Sequence, residues 1–147
     1  MFGRSWIILV AAFATTSAAE PVEVLRVDPV EVMADNDKSL VEACRSWSLS
    51  KEQVADFFRL AQEYEISPYA SYYQTPCSIT GELKGHGEIW KFWINGGATA
   101  QWIKGDVIRY WGCSKPECEK LVLLPTDFMR GTRWLKPRCS TCAWTTS

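Results

Sequence analysis

Histidine is almost missing from this sequence, neither sign of charge dominates, and no apolar run is long enough to cross a bilayer. A single His in 147 residues makes any Cys–His or Ser–His nucleophilic site depend on His86, and it excludes a metal centre built from several imidazoles. With 16 Lys and Arg against 17 Asp and Glu, a formal charge of -1, the chain lacks the field that binds nucleic acid by bulk electrostatics. The longest apolar run, Trp6 to Ala14, has about nine residues where a span needs about 20. Gly96-Gly97 is not followed by Gly-Lys-Ser or Gly-Lys-Thr, and no nucleophile-elbow pattern occurs, so phosphate-loop and hydrolase signatures are lacking. Asn-x-Ser/Thr acceptors are also absent, which fits a bacterial source. Only 9 Gly and 7 Pro, with 47% hydrophobic residues, exclude collagen-like and low-complexity chains and leave one globular domain as the expectation.

What is present begins with a leader pattern. Met1 to Arg4 is a short basic start, the apolar run follows, and Ser17 and Ala19 place small side chains at the positions read by signal peptidase. This predicts a signal peptide over residues 1–19, cleaved between Ala19 and Glu20, with no Cys there to carry a lipid. The exported chain is then residues 20–147, a single α+β domain with a basic, Cys-containing C-terminal tail, periplasmic or secreted. No second stretch is apolar enough to hold it in a membrane. Acidic residues dominate from Glu20 to Glu65 and basic ones from Ile66 onward, with no acid after Asp127. A dipole that neutralises itself within one domain explains this division better than a polyanion site.

Export makes six Cys a disulfide framework, for which fifteen pairings exist. Cys113 and Cys118 bracket Ser-Lys-Pro-Glu, a turn-forming insert, and are expected to pair. Cys139 and Cys142 enclose Ser-Thr and are expected to pair with each other, which leaves Cys44 for Cys77. Two rival readings use the same residues: Cys113, Cys118, Cys139 and Cys142 as a zinc thiolate set, and Cys139-Ser-Thr-Cys142 as a redox dithiol. His86 with Glu82 and Glu88 is a thin metal candidate beside the simpler reading of a solvated turn. Neither a cofactor nor a catalytic residue is assigned.

Along the chain, Val22 to Met33 reads as an edge strand or arm bent at Pro29. Ser39-Leu-Val-Glu42 and Ser50-Lys-Glu-Gln53 match the capping box, and a helix is expected after each. The second carries an apolar stripe of Val54, Phe57, Phe58, Ala61 and Tyr64 and is expected to run on until Pro68. A loop then leads to strands over Cys77–Leu83, Glu88–Asn95, Thr99–Lys104, Val107–Trp111 and Leu121–Leu124, with Asn95-Gly96-Gly97 as a strong turn. The fold expected is an antiparallel sheet of about five strands packed on one main amphipathic helix and stapled by disulfides.

This order of elements is similar to the cystatin-like arrangement of one helix wrapped by a sheet, without an inhibitory motif of that family. Cys77-Ser-Ile-Thr-Gly81, Trp90-Lys-Phe-Trp-Ile-Asn-Gly-Gly97, Trp102 and Gly112-Cys113 resemble segments of small exported bacterial proteins of unassigned role, including immunity proteins that neutralise wall-degrading toxins. The resemblance spans about a third of the chain and carries over no functional residue. In Glu88–Asn95, alternation puts Trp93 on one face and Trp90 and Phe92 on the other, so both faces carry large apolar groups. Tyr69, Tyr72, Tyr73, Trp90, Trp93 and Trp102 are therefore the candidate partner contacts. The function expected is that of a non-enzymatic exported protein that blocks a protein partner, as an inhibitor or immunity protein. A small envelope enzyme or metal/redox protein using His86 or the C-terminal Cys pair, and a subunit of an envelope assembly, are the alternatives.

Overall fold

A computed structural model describes residues 20–126. The expected signal peptide, the basic tail and the expected Cys139–Cys142 pair lie outside the described residues. The described chain is α+β, with strands β1 (Glu23–Val27) and β2 (Glu31–Val32), helices α1 (Lys38–Ser46) and α2 (Lys51–Leu60), and strands β3 (Gln62–Tyr64), β4 (Cys77–Gly85), β5 (Glu88–Asn95), β6 (Thr99–Lys104) and β7 (Val107–Gly112). The antiparallel sheet has seven strands in the order β1-β4-β5-β6-β7-β3, with β2 also on β4. It is thus larger than the five strands expected, and it carries two helices instead of one main helix. Among the described residues no helix is long and apolar enough to cross a membrane.

The extra strands come from both ends of the helical segment. β1 and β2 lie end to end along β4, and the bend between them falls at Pro29, which has no N–H to offer a sheet. β3 corrects the expected length of the second helix. α2 stops at Leu60, with Ala61 as its cap, and Gln62–Tyr64 pairs with β7 as the opposite edge of the sheet. Tyr64 matched the helical stripe by spacing alone; its backbone bonds go to a strand, and its hydroxyl shares a 3.1 Å hydrogen bond with Tyr72.

Helix starts are set by side-chain oxygens that satisfy free N–H groups. For α2 the expected box is present: Gln53 N–H donates to Ser50 Oγ, and Ser50 N–H donates to Gln53 Oε1. For α1 the cap is Asp37, two residues before the expected Ser39. Its carboxylate accepts from Ser39 N–H at 3.0 Å, Ser39 Oγ at 2.6 Å and Leu40 N–H at 3.1 Å. The Ser39 hydroxyl bond, and then the Leu40 amide, hold the Asp37 carboxyl below its ordinary value of 3.8. A depressed carboxyl pKa stabilises the fold above the ordinary value, and that contribution is lost as pH falls through the lower, folded-state value. Asn caps helices as well as Asp without titrating. Asp37→Asn should therefore unfold at nearly the same temperature as the parent at neutral pH, and lose less thermal stability between about pH 5 and pH 2.

The inner face of the sheet holds the core. Register places Val24, Leu83 and Trp90 side by side, then Gly81, Phe92 and Trp102, then Ile79, Ile94, Ala100 and Trp111. Phe58 of α2 meets Phe92, Trp102 and Trp111 edge-on at centroid distances of 6.0, 5.3 and 5.8 Å, geometry that suits aromatic quadrupoles. Gly81 is needed in this layer because a Cβ there would lie 2.1 Å from the Arg26 carbonyl and 2.6 Å from the Phe92 ring.

Leu121–Leu124, expected as a strand, is a run of turns and bends. Leu121 and Val122 are buried as a plug. The Leu121 carbonyl accepts from Trp47 Nε1–H at 3.0 Å, and Leu123 N–H donates to the Gly96 carbonyl at 2.8 Å. Its apolar side chains close the core at the end of the sheet, and its backbone is satisfied without a ladder.

Candidate functional site

The disulfides come first, because they decide what chemistry the cysteines retain. Cys44 is bonded to Cys77 and Cys113 to Cys118, the two pairings expected in this part of the chain. Among the described residues no free Cys remains, so half of the proposed zinc thiolate set is committed to a bridge. The first bridge joins α1 to the start of β4 and ties the helical layer to the sheet. Two such bridges fit an oxidising compartment.

His86 occupies the hairpin tip expected for it. His86 and Gly87 form the two-residue link between β4 and β5, with φ of 51° and 74°, the left-handed pair that a tight hairpin turn requires. The imidazole centroid lies 5.7 Å from that of Trp102. Among the described residues no group of three or more His, Cys, Asp or Glu could hold a metal ion.

The six aromatic candidates separate. Tyr69 is 55% exposed on a turn before β4, and Tyr73 and Trp93 are half-buried. Tyr72, Trp90 and Trp102 are 2%, 4% and 1% exposed, which corrects their placement at a partner surface: they are core. Trp90 Nε1–H donates to the Gly85 carbonyl at 3.1 Å, and the Tyr72 ring packs where a Gly112 Cβ would otherwise stand, at 2.8 Å. Burial, reinforced by the bond to Tyr64, pushes the Tyr72 hydroxyl well above the ordinary tyrosine range and keeps it neutral.

Trp93 belongs to a surface that sequence reading only partly located. It stands on the outer face, flanked by Thr80 and Gln101, and the row continues through Tyr110 to Tyr64. A parallel row runs from Glu82 through Lys91 and Ile103 to Ile108. Ile108 is 44% exposed, Ile89 on the same side of β5 is 58% exposed, and Trp93, Ile103 and Tyr110 are half-buried. Alternation along Thr99–Lys104 and Val107–Gly112 could have found Ile103, Ile108 and Tyr110, since they sit opposite in phase to Trp102 and Trp111. Glu82 is 3.6 Å from Arg26, whereas Lys91 has no ion-pair partner among the described residues.

The inner face carries its own charged pair, which spacing could not reveal because its members are 46 positions apart. Arg109 donates to both Glu63 oxygens at 2.6 and 2.7 Å, and its guanidinium lies 5.8 Å from the centroids of Trp90 and Trp102. The Glu63 bond raises the Arg109 pKa further and keeps the guanidinium charged. The pair fixes edge strand β3 against the aromatic layer.

No family model matches this chain, and no curated protein or solved structure matches it.

Proposed function

We propose that this chain is an exported, periplasmic or secreted binding protein that blocks a protein partner, as an inhibitor or immunity protein does, and that the outer face of its sheet is the contact surface. The carrying observation is the outer face itself, where Ile108, Ile103, Trp93 and Tyr110 lie together with solvent access, while both helices bury their apolar sides elsewhere. Aromatic and aliphatic groups on a rigid sheet bury area at low entropic cost. Lys91, unpaired among them, calls for a carboxylate within an otherwise apolar patch on the partner. Export is supported by the leader pattern and by the bridges. Blocking would be steric, with the stapled sheet seated over the partner's cleft.

Size-exclusion chromatography of the exported chain with envelope extract from its source cell should give a complex of fixed stoichiometry with one other protein. Ile108→Glu should weaken that complex at least tenfold, about 1.4 kcal/mol, without moving the thermal midpoint. Lys51→Glu, on exposed α2, should leave it intact. A complex indifferent to Ile108→Glu, or a fixed self-assembly in its place, contradicts this reading.

A further inference from the structure

Beneath α2 lies a second feature, on the side of the sheet opposite the proposed contact surface and independent of it. A cavity of about 420 Å³ opens between α2, the inner face of the sheet and the segment that leads into β1. The sequence builds this space by placing small Ala55 and Ala61 on either side of Phe58 above Trp102 and Trp111, all of which line it. The two indoles lie with centroids 4.6 Å apart. The volume falls in the range of small-molecule sites, which combine apolar walls with a few polar groups.

Two observations define the occupant. Apart from Glu20 at the rim, the charged groups at the cavity are already paired: Arg59 donates to Asp56 at 3.0 Å, and Arg109 holds Glu63 through both oxygens. An ionic ligand would compete with those pairs. By contrast, the indole N–H groups of Trp102 and Trp111 are buried and have no acceptor among the described residues, in side chains of residues only 1% and 9% exposed. Buried donors left unpaired are destabilising, and here two belong to neighbouring rings of one cavity. Trp90 and Trp47, in the same core, both have carbonyl acceptors.

We infer that the cavity binds an uncharged, flat, mainly apolar small molecule whose carbonyl-type oxygen accepts from these indole N–H groups. The probe is 1-tetralone, compared with tetralin, which has the same ring skeleton without the oxygen. In ¹⁵N-labelled exported chain, 1-tetralone should shift the indole N–H signals identified by their loss in Trp102→Phe and Trp111→Phe. It should bind about fivefold more tightly than tetralin, the equivalent of one net hydrogen bond. Either Phe variant should narrow that difference, Ala55→Leu should abolish binding by filling the space, and Ile108→Glu should change nothing. Equal binding of the two probes, unmoved indole signals, or tighter binding of benzoate or trimethylanilinium would overturn the inference. Nuclear Overhauser contacts from Trp134 or Trp144 to Phe58 would overturn it too, by making the chain's own tail the occupant.

Discussion

Replacing Cys44 and Cys77 together by Ala should lower the free energy of unfolding by about 3–4 kcal/mol. Their separation of 33 positions closes a long loop, and in the chain-entropy account the constraint acts mainly on the unfolded ensemble. In the folded protein both residues are fully buried or nearly so, so Ala adds little strain and the lost cross-link dominates. The matching change at Cys113 and Cys118, separated by 5 positions, should cost about 2 kcal/mol. Urea unfolding followed by tryptophan fluorescence measures both. The long link should shift the midpoint further, and the reverse order would mean that strain or residual structure outweighs loop closure. Against a usual stability of about 5–15 kcal/mol, the first change removes a large share of what holds the domain folded.

The second large effect belongs to Asn95. Its side chain is buried at the end of β5 and uses both ends. Oδ1 accepts from Thr75 N–H at 3.0 Å, Thr75 Oγ1 at 3.2 Å and Gly97 N–H at 2.8 Å, while Nδ2 donates to the carbonyls of Thr75 at 2.9 Å and Cys77 at 3.2 Å. The amide thereby fastens the segment entering β4 to the turn that leaves β5. A Cβ on Gly97 would lie 1.7 Å from the Tyr73 carbonyl, so the two segments already touch. Asn95→Ala leaves the Thr75 and Gly97 N–H groups unpaired at about 1–3 kcal/mol each. The expected cost is about 3–4 kcal/mol, read from the same urea transitions. Gln101→Ala, half-buried on the outer face, should stay within about 0.5 kcal/mol. An Asn95→Ala protein as stable as its parent would show that this knot is incidental.

Both predictions rest on features that were unevenly legible in the sequence. The Cys44–Cys77 bridge could be read by elimination, once Cys113 with Cys118 and Cys139 with Cys142 were expected to pair because each two lie close in sequence. Strands β4 to β7 were visible because alternation and Gly-rich turns are local signals. Asn95 was visible only as a turn residue, and its role arises from Thr75 and Cys77, which are distant in sequence. β3 was hidden because Tyr64 fits a helical stripe, while its strand partners, Tyr110 and Trp111, lie far along the chain. The same limit explains why Trp90 and Trp102 read as contact residues, since aromatic identity gives no indication of which face the helices cover, and why Tyr72 did, since its burial depends on Gly112 and Tyr64, which are apart from it in sequence. Once Phe58 is known to sit over Trp102, alternation alone sends Trp93 and Ile103 to the outer face.

That assignment of faces is the centre of the account, and photocrosslinking in the source cell tests it most directly. A photoreactive phenylalanine analogue placed at Ile108, with a second chain carrying it at Lys51, compares the outer sheet face with exposed α2. The expected result is one crosslinked product of fixed mass from position 108, distinct from twice the mass of the chain and missing from position 51. Equal products from both positions, a product at twice the chain mass, or none from 108 while 51 reacts would contradict the claim that the outer face seats a protein partner.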